Sequence, residues 1–170
     1  RCAENTRKFI NDDNVLALFG YIGTPTSLAA LPLAVKARVP FFAPFTGAMS
    51  LREPFNRNVF HVRASYNDET ALIVKQLTEL GLRKIAVFHQ NDAYGKAGLD
   101  GVTLALAAQN LQPVATATVE RNSEDVAAAV QKLVAAGPDA VVQVSAYKSC
   151  AAFVRAARKA GYGGTFYNVS

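Results

Sequence analysis

The 170-residue chain contains no tryptophan, one methionine, two histidines and two cysteines. Cys2 and Cys150 are far apart and cannot build a cysteine-rich zinc site or a disulfide-stapled miniprotein. Charged residues are scarce, at 18%, while 51% are hydrophobic, which excludes a disordered chain and leaves enough apolar material for one or two compact units. No run is long enough to span a membrane. The longest apolar-rich stretch, Thr26 to Val35, is interrupted by Pro32 and followed by Lys36 and Arg38, well short of the ~20 residues a span needs. Nor is there an apolar leader at Arg1–Lys8, and the chain opens on Arg rather than Met, which reads as a mature or trimmed polypeptide. Catalytic signatures are missing as well: no H-E-x-x-H, G-x-S-x-G or C-x-x-C occurs, and His61 and His89 have no nucleophile beside them.

The net charge is +5, and residues 1–64 hold most of it, with eight basic against four acidic residues. These cations are spaced as on an ordinary solvated surface. They do not form the aromatic-interleaved stripe of a nucleic-acid binder, so no nucleic acid is expected as a partner.

What is present is an alternation of short apolar runs with helical periods. Val15–Phe19 reads as a buried strand, Leu28–Arg38 as a helix opened by Pro25-Thr26-Ser27, Phe41–Ala43 as a second strand and Asn58–Arg63 as a third. Asn67–Leu80 reads as an amphipathic helix with Leu72, Ile73, Leu77 and Leu80 on its inner face and Gly81 as its stop. Strands then begin near Ile85, Val114, Ala140 and Thr165, separated by helices over 98–109, 123–136 and 149–160, the first turn of the second being Ser123-Glu124-Asp125. Intervals of this size suit a strand plus a crossover helix, so the fold class is α/β, with parallel sheets flanked by helices. A boundary is expected near residues 63–66, giving parts 1–64 and 65–170.

Ligands of open parallel sheets lie beyond the carboxyl ends of the strands. Gly20-Tyr21-Ile22-Gly23-Thr24-Pro25-Thr26-Ser27 joins a flexible turn to a helix N-terminus, a combination suited to a carboxylate or phosphate as well as to simple capping. It is neither a dinucleotide fingerprint nor a P-loop. Phe45-Thr46-Gly47 offers an aromatic wall, a hydroxyl and a flexible backbone. Tyr94 and Tyr147 each place a ring with a polar tip at the mouth of a strand.

Taken together, the segments Ala17–Ser27, Ala43–Ala48, Val59–Tyr66, Val87–Gly95 and Phe166–Ser170 resemble the periplasmic solute-binding proteins of ABC transporters, in the branched-chain amino-acid (Leu/Ile/Val-binding) group. The resemblance implies a type I periplasmic-binding fold of two lobes with ligand in the cleft between them. Residues 1–64 would be part of a first, incomplete lobe and 65–170 most of a second. Against that family the chain reads as an internal piece, lacking the opening strand and helix of the first lobe and everything after the fourth strand of the second.

The implied function is non-catalytic: an extracytoplasmic, periplasmic component that delivers a small carboxylate, such as a branched-chain or other amino acid, to a membrane permease, with no cofactor and no metal. By the same resemblance Thr24 would hold the ligand carboxylate beside Thr26 and Ser27. Phe45, Thr46 and Gly47 would form the second contact loop, and Tyr94 and Tyr147 would cover the ligand. Ser170 stands where amino-acid binders carry an acid for the ligand's ammonium group, and a serine cannot neutralise that charge. This departure opens a second option, an aromatic acid without an amine. A ligand-sensing regulator or receptor domain on the same fold is a further alternative. Gly23 occupies a place where some members carry a disulfide cysteine.

Overall fold

The computed structural model describes residues 1–170. The chain divides into two compact units, Arg1–Ser65 and Tyr66–Ser170.

In the first unit the order is α1 (Cys2–Asn11), β1 (Leu18–Phe19), α2 (Thr24–Ala37), β2 (Phe41–Phe42), a 3-10 turn at Met49–Leu51 and β3 (Val59–Phe60). The three strands are parallel, in the order β1-β2-β3, with Leu18 opposite Phe41 and Phe41 opposite Val59. Alternation along each strand sorts the side chains onto two faces. Leu18, Phe41 and Val59 are buried. Phe19, Phe42 and Phe60, next in register, form a ladder of rings on the other face, with centroids 5.8 and 6.0 Å apart, and remain 73%, 40% and 45% exposed.

The strands are shorter than the sequence predicts. Val15–Phe19 was expected as a continuous buried strand, yet only Leu18 and Phe19 pair, and Leu16 is 91% exposed. Pairing lasts only while a neighbour runs alongside, and β2 offers two residues. Asn58–Arg63 likewise contracts to Val59–Phe60. The helix expected from Leu28 begins four residues earlier, at Thr24, because Pro25 sits at a first-turn position where its missing N–H costs nothing. Pro32 lies inside α2 without ending it.

The second unit is more regular. It runs α3 (Tyr66–Glu79), β4 (Ile85–Gln90), α4 (Ala93–Ala107), β5 (Ala115–Val119), α5 (Ala127–Ala135), β6 (Ala140–Val144), α6 (Tyr147–Lys159) and β7 (Thr165–Asn168). Its four strands are parallel in the order β5-β4-β6-β7. One face of the sheet presents Ala86, Phe88, Ala117, Val119 and Val141 to Val130 and Leu133 of α5 and to Phe153 and Ala157 of α6. Phe88 stacks on Phe153 at 4.2 Å, and Phe166 meets Phe153 edge-on. Truncating a fully buried phenylalanine such as Phe153 costs about 3–5 kcal/mol. On the opposite face α4 approaches β6 through Gly98, where a Cβ would lie 2.4 Å from Val144 Cγ1.

Three helix expectations need correction. Helix α4 starts at Ala93 rather than at Gly98, because the Asp92 carboxylate caps it by accepting from the Tyr94 and Gly95 N–H groups. The inner face of α3 is Tyr66, Thr70, Val74 and Leu77, whereas Leu72 and Leu80 are largely exposed. Helix α5 starts at Ala127 rather than Ser123, because Ser123 Oγ accepts from the Asp125 N–H and holds a local turn instead of a cap.

Candidate functional site

The carboxyl ends of the parallel strands carry the candidate residues, and each unit presents its own set.

In the first unit, Gly23 takes φ +91°, a conformation that favours glycine, and directs the chain into α2. No side chain caps this helix, so first-turn N–H groups remain unsatisfied by the chain. The Thr24 and Thr46 hydroxyls lie 2.6 Å apart, both residues buried. Thr46 Oγ1 also accepts from the Ala48 N–H at 3.2 Å. Two hydroxyl protons with one mutual bond leave one O–H without an acceptor, whichever threonine donates. That spare donor beside a helix N-terminus is suited to an anionic oxygen.

The other expected residues of this unit differ in access. Ser27 is fully buried, and its hydroxyl makes a long 3.5 Å bond to the Tyr21 carbonyl. Thr26 is half-buried, its carbonyl accepting from the Cys2 thiol. Phe45 is exposed, with the Arg63 guanidinium 5.5 Å from its ring centroid, and Gly47 is buried. The parallel bridge between Ile22 and Phe45 and the Phe45 N–H to Tyr21 carbonyl bond bring the two loops side by side.

In the second unit, Asp92 caps α4 by accepting from the Tyr94 and Gly95 N–H groups. This fixes Tyr94 in the first turn. Its ring lies 5.5 Å from that of Tyr66, and its hydroxyl donates to the Val169 carbonyl at 3.2 Å. Tyr94 is thus anchored next to the end of β7. Tyr147, at the start of α6, is 78% exposed, so the two tyrosines are not equivalent. Ser170 donates through its N–H to Glu69 Oε1 at 2.6 Å and through its hydroxyl to Oε2 at 3.1 Å.

Glu69 is the residue that sequence reasoning missed. Its place in the first turn of α3 has a complete local explanation in the helix dipole, and only the tertiary fold brings it to the end of the chain. Three more buried polar residues line the strand ends: Gln90, Gln143 and Ser145. Gln90 Nε2 donates to Asp92 and Gln143 Nε2 to Asn168, while Gln90 Oε1, Gln143 Oε1 and Ser145 Oγ have no hydrogen-bond partner.

His61 and His89 both have pKa values lowered from the ordinary 6.5, chiefly by burial. Burial pushes the Cys150 thiol up to about 11, and its S–H donates to the Ser145 carbonyl. Both cysteines are free. No group of His, Cys, Asp and Glu residues is arranged to hold a metal ion, and no helix is long and apolar enough to cross a membrane.

The whole chain, residues 1–170, matches the family model described as periplasmic binding protein. The chain belongs to this family. Among curated relatives, the Leu/Ile/Val-binding protein homolog 7 of Brucella abortus (strain 2308) is 27% identical over 165 residues, 92% of this chain and 41% of that protein. Among solved structures, a possible leucine/isoleucine/valine-binding protein from Rhodopirellula baltica SH 1 superposes with a TM-score of 0.93 and 33% identity, over 99% of this chain and 47% of that one. An ABC-transporter solute-binding protein from R. palustris, solved in complex with benzoate, gives a TM-score of 0.87 over 98% of this chain and 47% of its own. At 19% identity that likeness shows the fold alone. The α/β architecture of parallel sheets flanked by helices is therefore that of the type I periplasmic-binding fold, and the chain spans less than half the length of these relatives.

Proposed function

We propose that the chain is a non-catalytic, extracytoplasmic part of a solute-binding protein that receives a small carboxylate for an ABC-transporter permease. In this reading residues 1–65 belong to the first lobe and 66–170 to the second. The observation that carries the chemistry is the Thr24–Thr46 hydroxyl pair at the uncapped start of α2, which keeps one O–H and the helix N–H groups for a carboxylate. Thr26, Ser27, Phe45 and Gly47 complete this subsite. Tyr94 and Tyr147 supply rings, Tyr94 anchored by its hydroxyl bond to the Val169 carbonyl and Tyr147 exposed at the start of α6. The match of residues 1–170 to the periplasmic binding protein family, and the likeness at 33% identity to a possible leucine/isoleucine/valine-binding protein, support the delivery role.

The preferred ligand is an amino acid. Ser170 carries no charge, but the Glu69 carboxylate stands directly beside it and supplies the negative group an ammonium needs. The alternative is an aromatic acid without an amine. Its support is the benzoate-bound relative of the same fold together with the rings of Phe45 and Tyr94.

Calorimetric titration with leucine, isoleucine, valine and benzoate tests both readings. A branched-chain amino acid binding while benzoate does not supports the first reading, and the reverse supports the second. No heat and no thermal stabilisation from any of the four would remove the carboxylate-binding proposal.

A further inference from the structure

One hollow of the first unit lies away from its carboxyl strand ends. It is an open groove of about 670 Å³ at the opposite edge of the sheet, lined by Val35, Arg38, Phe55, Asn56, Arg57 and Asn58. Arg38 lies three residues before β2 and Arg57 two residues before β3. Those strands are parallel neighbours, so both arginines sit at their amino ends, on adjacent chains held together by the Phe41 N–H to Asn58 carbonyl bond.

The groove is positively charged without compensation. Neither guanidinium has a hydrogen bond or an ion pair, and no carboxylate lines the groove. Glu53, the acid nearest in sequence, lies outside the lining. A second hollow of about 350 Å³ on the other flank of the last turns of α2 includes Arg7 and Lys36, which are likewise without acidic partners. Four cations therefore surround the end of one helix.

Local stability does not explain Arg38. It occupies the C-cap of α2 at φ +57°, ψ +29°, a left-handed conformation that costs a residue with a Cβ about 1–2 kcal/mol and normally selects glycine or asparagine. The helix dipole favours a cation near this end, but Lys36 already provides one in the last turn.

We propose that this groove docks an extended acidic segment of a partner protein. Adjacent strands are about 5 Å apart, while alternate residues of an extended chain put side chains on one face roughly 7 Å apart. Flexible arginines rooted on neighbouring strands match alternate carboxylates at that spacing, each with bidentate geometry. The Asn58 carboxamide makes no bond within the protein and is available to the backbone of the segment, and the Phe55 ring, 87% exposed, gives it an apolar wall. A concave groove flanked by carboxamides suits a polypeptide better than the flat surface of a bilayer.

The test uses the Arg1–Ser170 chain and a short fluorescein-labelled peptide alternating Glu and Ala, followed by anisotropy. The expected result is binding that weakens steeply with salt, falls about tenfold or more in Arg38→Gln/Arg57→Gln, and is unchanged in Lys148→Gln on the second unit. Arg38→Gly separates docking from structure: the melting temperature should hold or rise while affinity falls. A merely structural Arg38 would give the opposite pattern. Absence of binding, equal binding by the Gln/Ala peptide, or insensitivity to the arginine substitutions would overturn the proposal. So would binding to anionic phosphatidylglycerol vesicles without binding to the peptide, or loss of peptide binding in a longer polypeptide whose added residues fill the groove.

Discussion

The hydroxyls of Thr24 and Thr46 are bonded to each other across 22 positions of sequence, joining the start of α2 to the loop after β2. Replacing Thr46 by valine keeps the shape and removes the hydroxyl. It leaves Thr24 without its partner and the Ala48 N–H without an acceptor, at a cost of about 1–3 kcal/mol. Denaturant unfolding should show this loss, and calorimetry should show carboxylate affinity falling at least about tenfold, as expected when a hydrogen bond to a charged group is lost. Unaltered affinity would take Thr46 out of the site.

Glu69→Gln separates the two ligand classes. The substitution retains a hydrogen-bond acceptor for Ser170 but removes the charge. Amino-acid binding should weaken by more than about tenfold, while binding of a carboxylate without an amine should hold or improve. Parallel titrations with leucine and benzoate measure the difference. Equal losses for both would reduce Glu69 to a structural partner of the chain end.

Gly98→Ala should destabilise the second unit by about 1–3 kcal/mol, because the added methyl would lie 2.4 Å from Val144 Cγ1. Val144→Ala in the same chain opens the space and should recover part of the loss. A double mutant no better than the sum of the singles would show that the crowding lies elsewhere.

Acid should weaken the fold through its histidines. His61 and His89 titrate below 6.5 in the folded chain and near 6.5 when unfolded, so the unfolded state binds more protons in the interval between. Stability is full above that window and declines as pH falls from about 6.5 toward the lowered folded values. Urea unfolding across this range, repeated with His61→Gln and His89→Gln, should show the slope flattening in each variant. A slope indifferent to both substitutions would assign acid sensitivity to the carboxylates.

The rings of Phe19, Phe42 and Phe60 should bind a hydrophobic dye such as ANS, and Phe42→Ser, which breaks the middle of the ladder, should reduce that fluorescence without unfolding the second unit. Undiminished fluorescence in the variant would locate the dye on another surface.

Much of the second unit can be read from its sequence, since β4 and β6 are apolar-rich runs and helix-sized intervals separate the four strands. The face of α3 could not. Hydrophobic periodicity favours Leu72 and Leu80, but the helix is held through Thr70, whose hydroxyl donates to the Tyr66 carbonyl, close to Gly101 of α4. Contacts made by small and polar residues at close range leave no hydrophobic signature. Strand lengths in the first unit were hidden for a different reason, because Leu16 looks like its neighbours and only the absence of a pairing partner sets it apart. At the site, the loops were visible from glycine, proline and hydroxyl residues at strand ends. The Glu69–Ser170 contact joins residues 101 positions apart, and nothing local marks it.

Two-residue strands have a consequence for how the molecule comes apart. β2 alone is paired on both sides in the first unit, whereas in the second unit β4 and β6 are flanked along their length by partners and covered by side chains from both faces. Amide protons of β4 and β6 should be the last to exchange, and those around β1 and β3 among the first. A protease at low dose therefore meets one soft half and one hard half, and the piece that survives digestion begins near Tyr66.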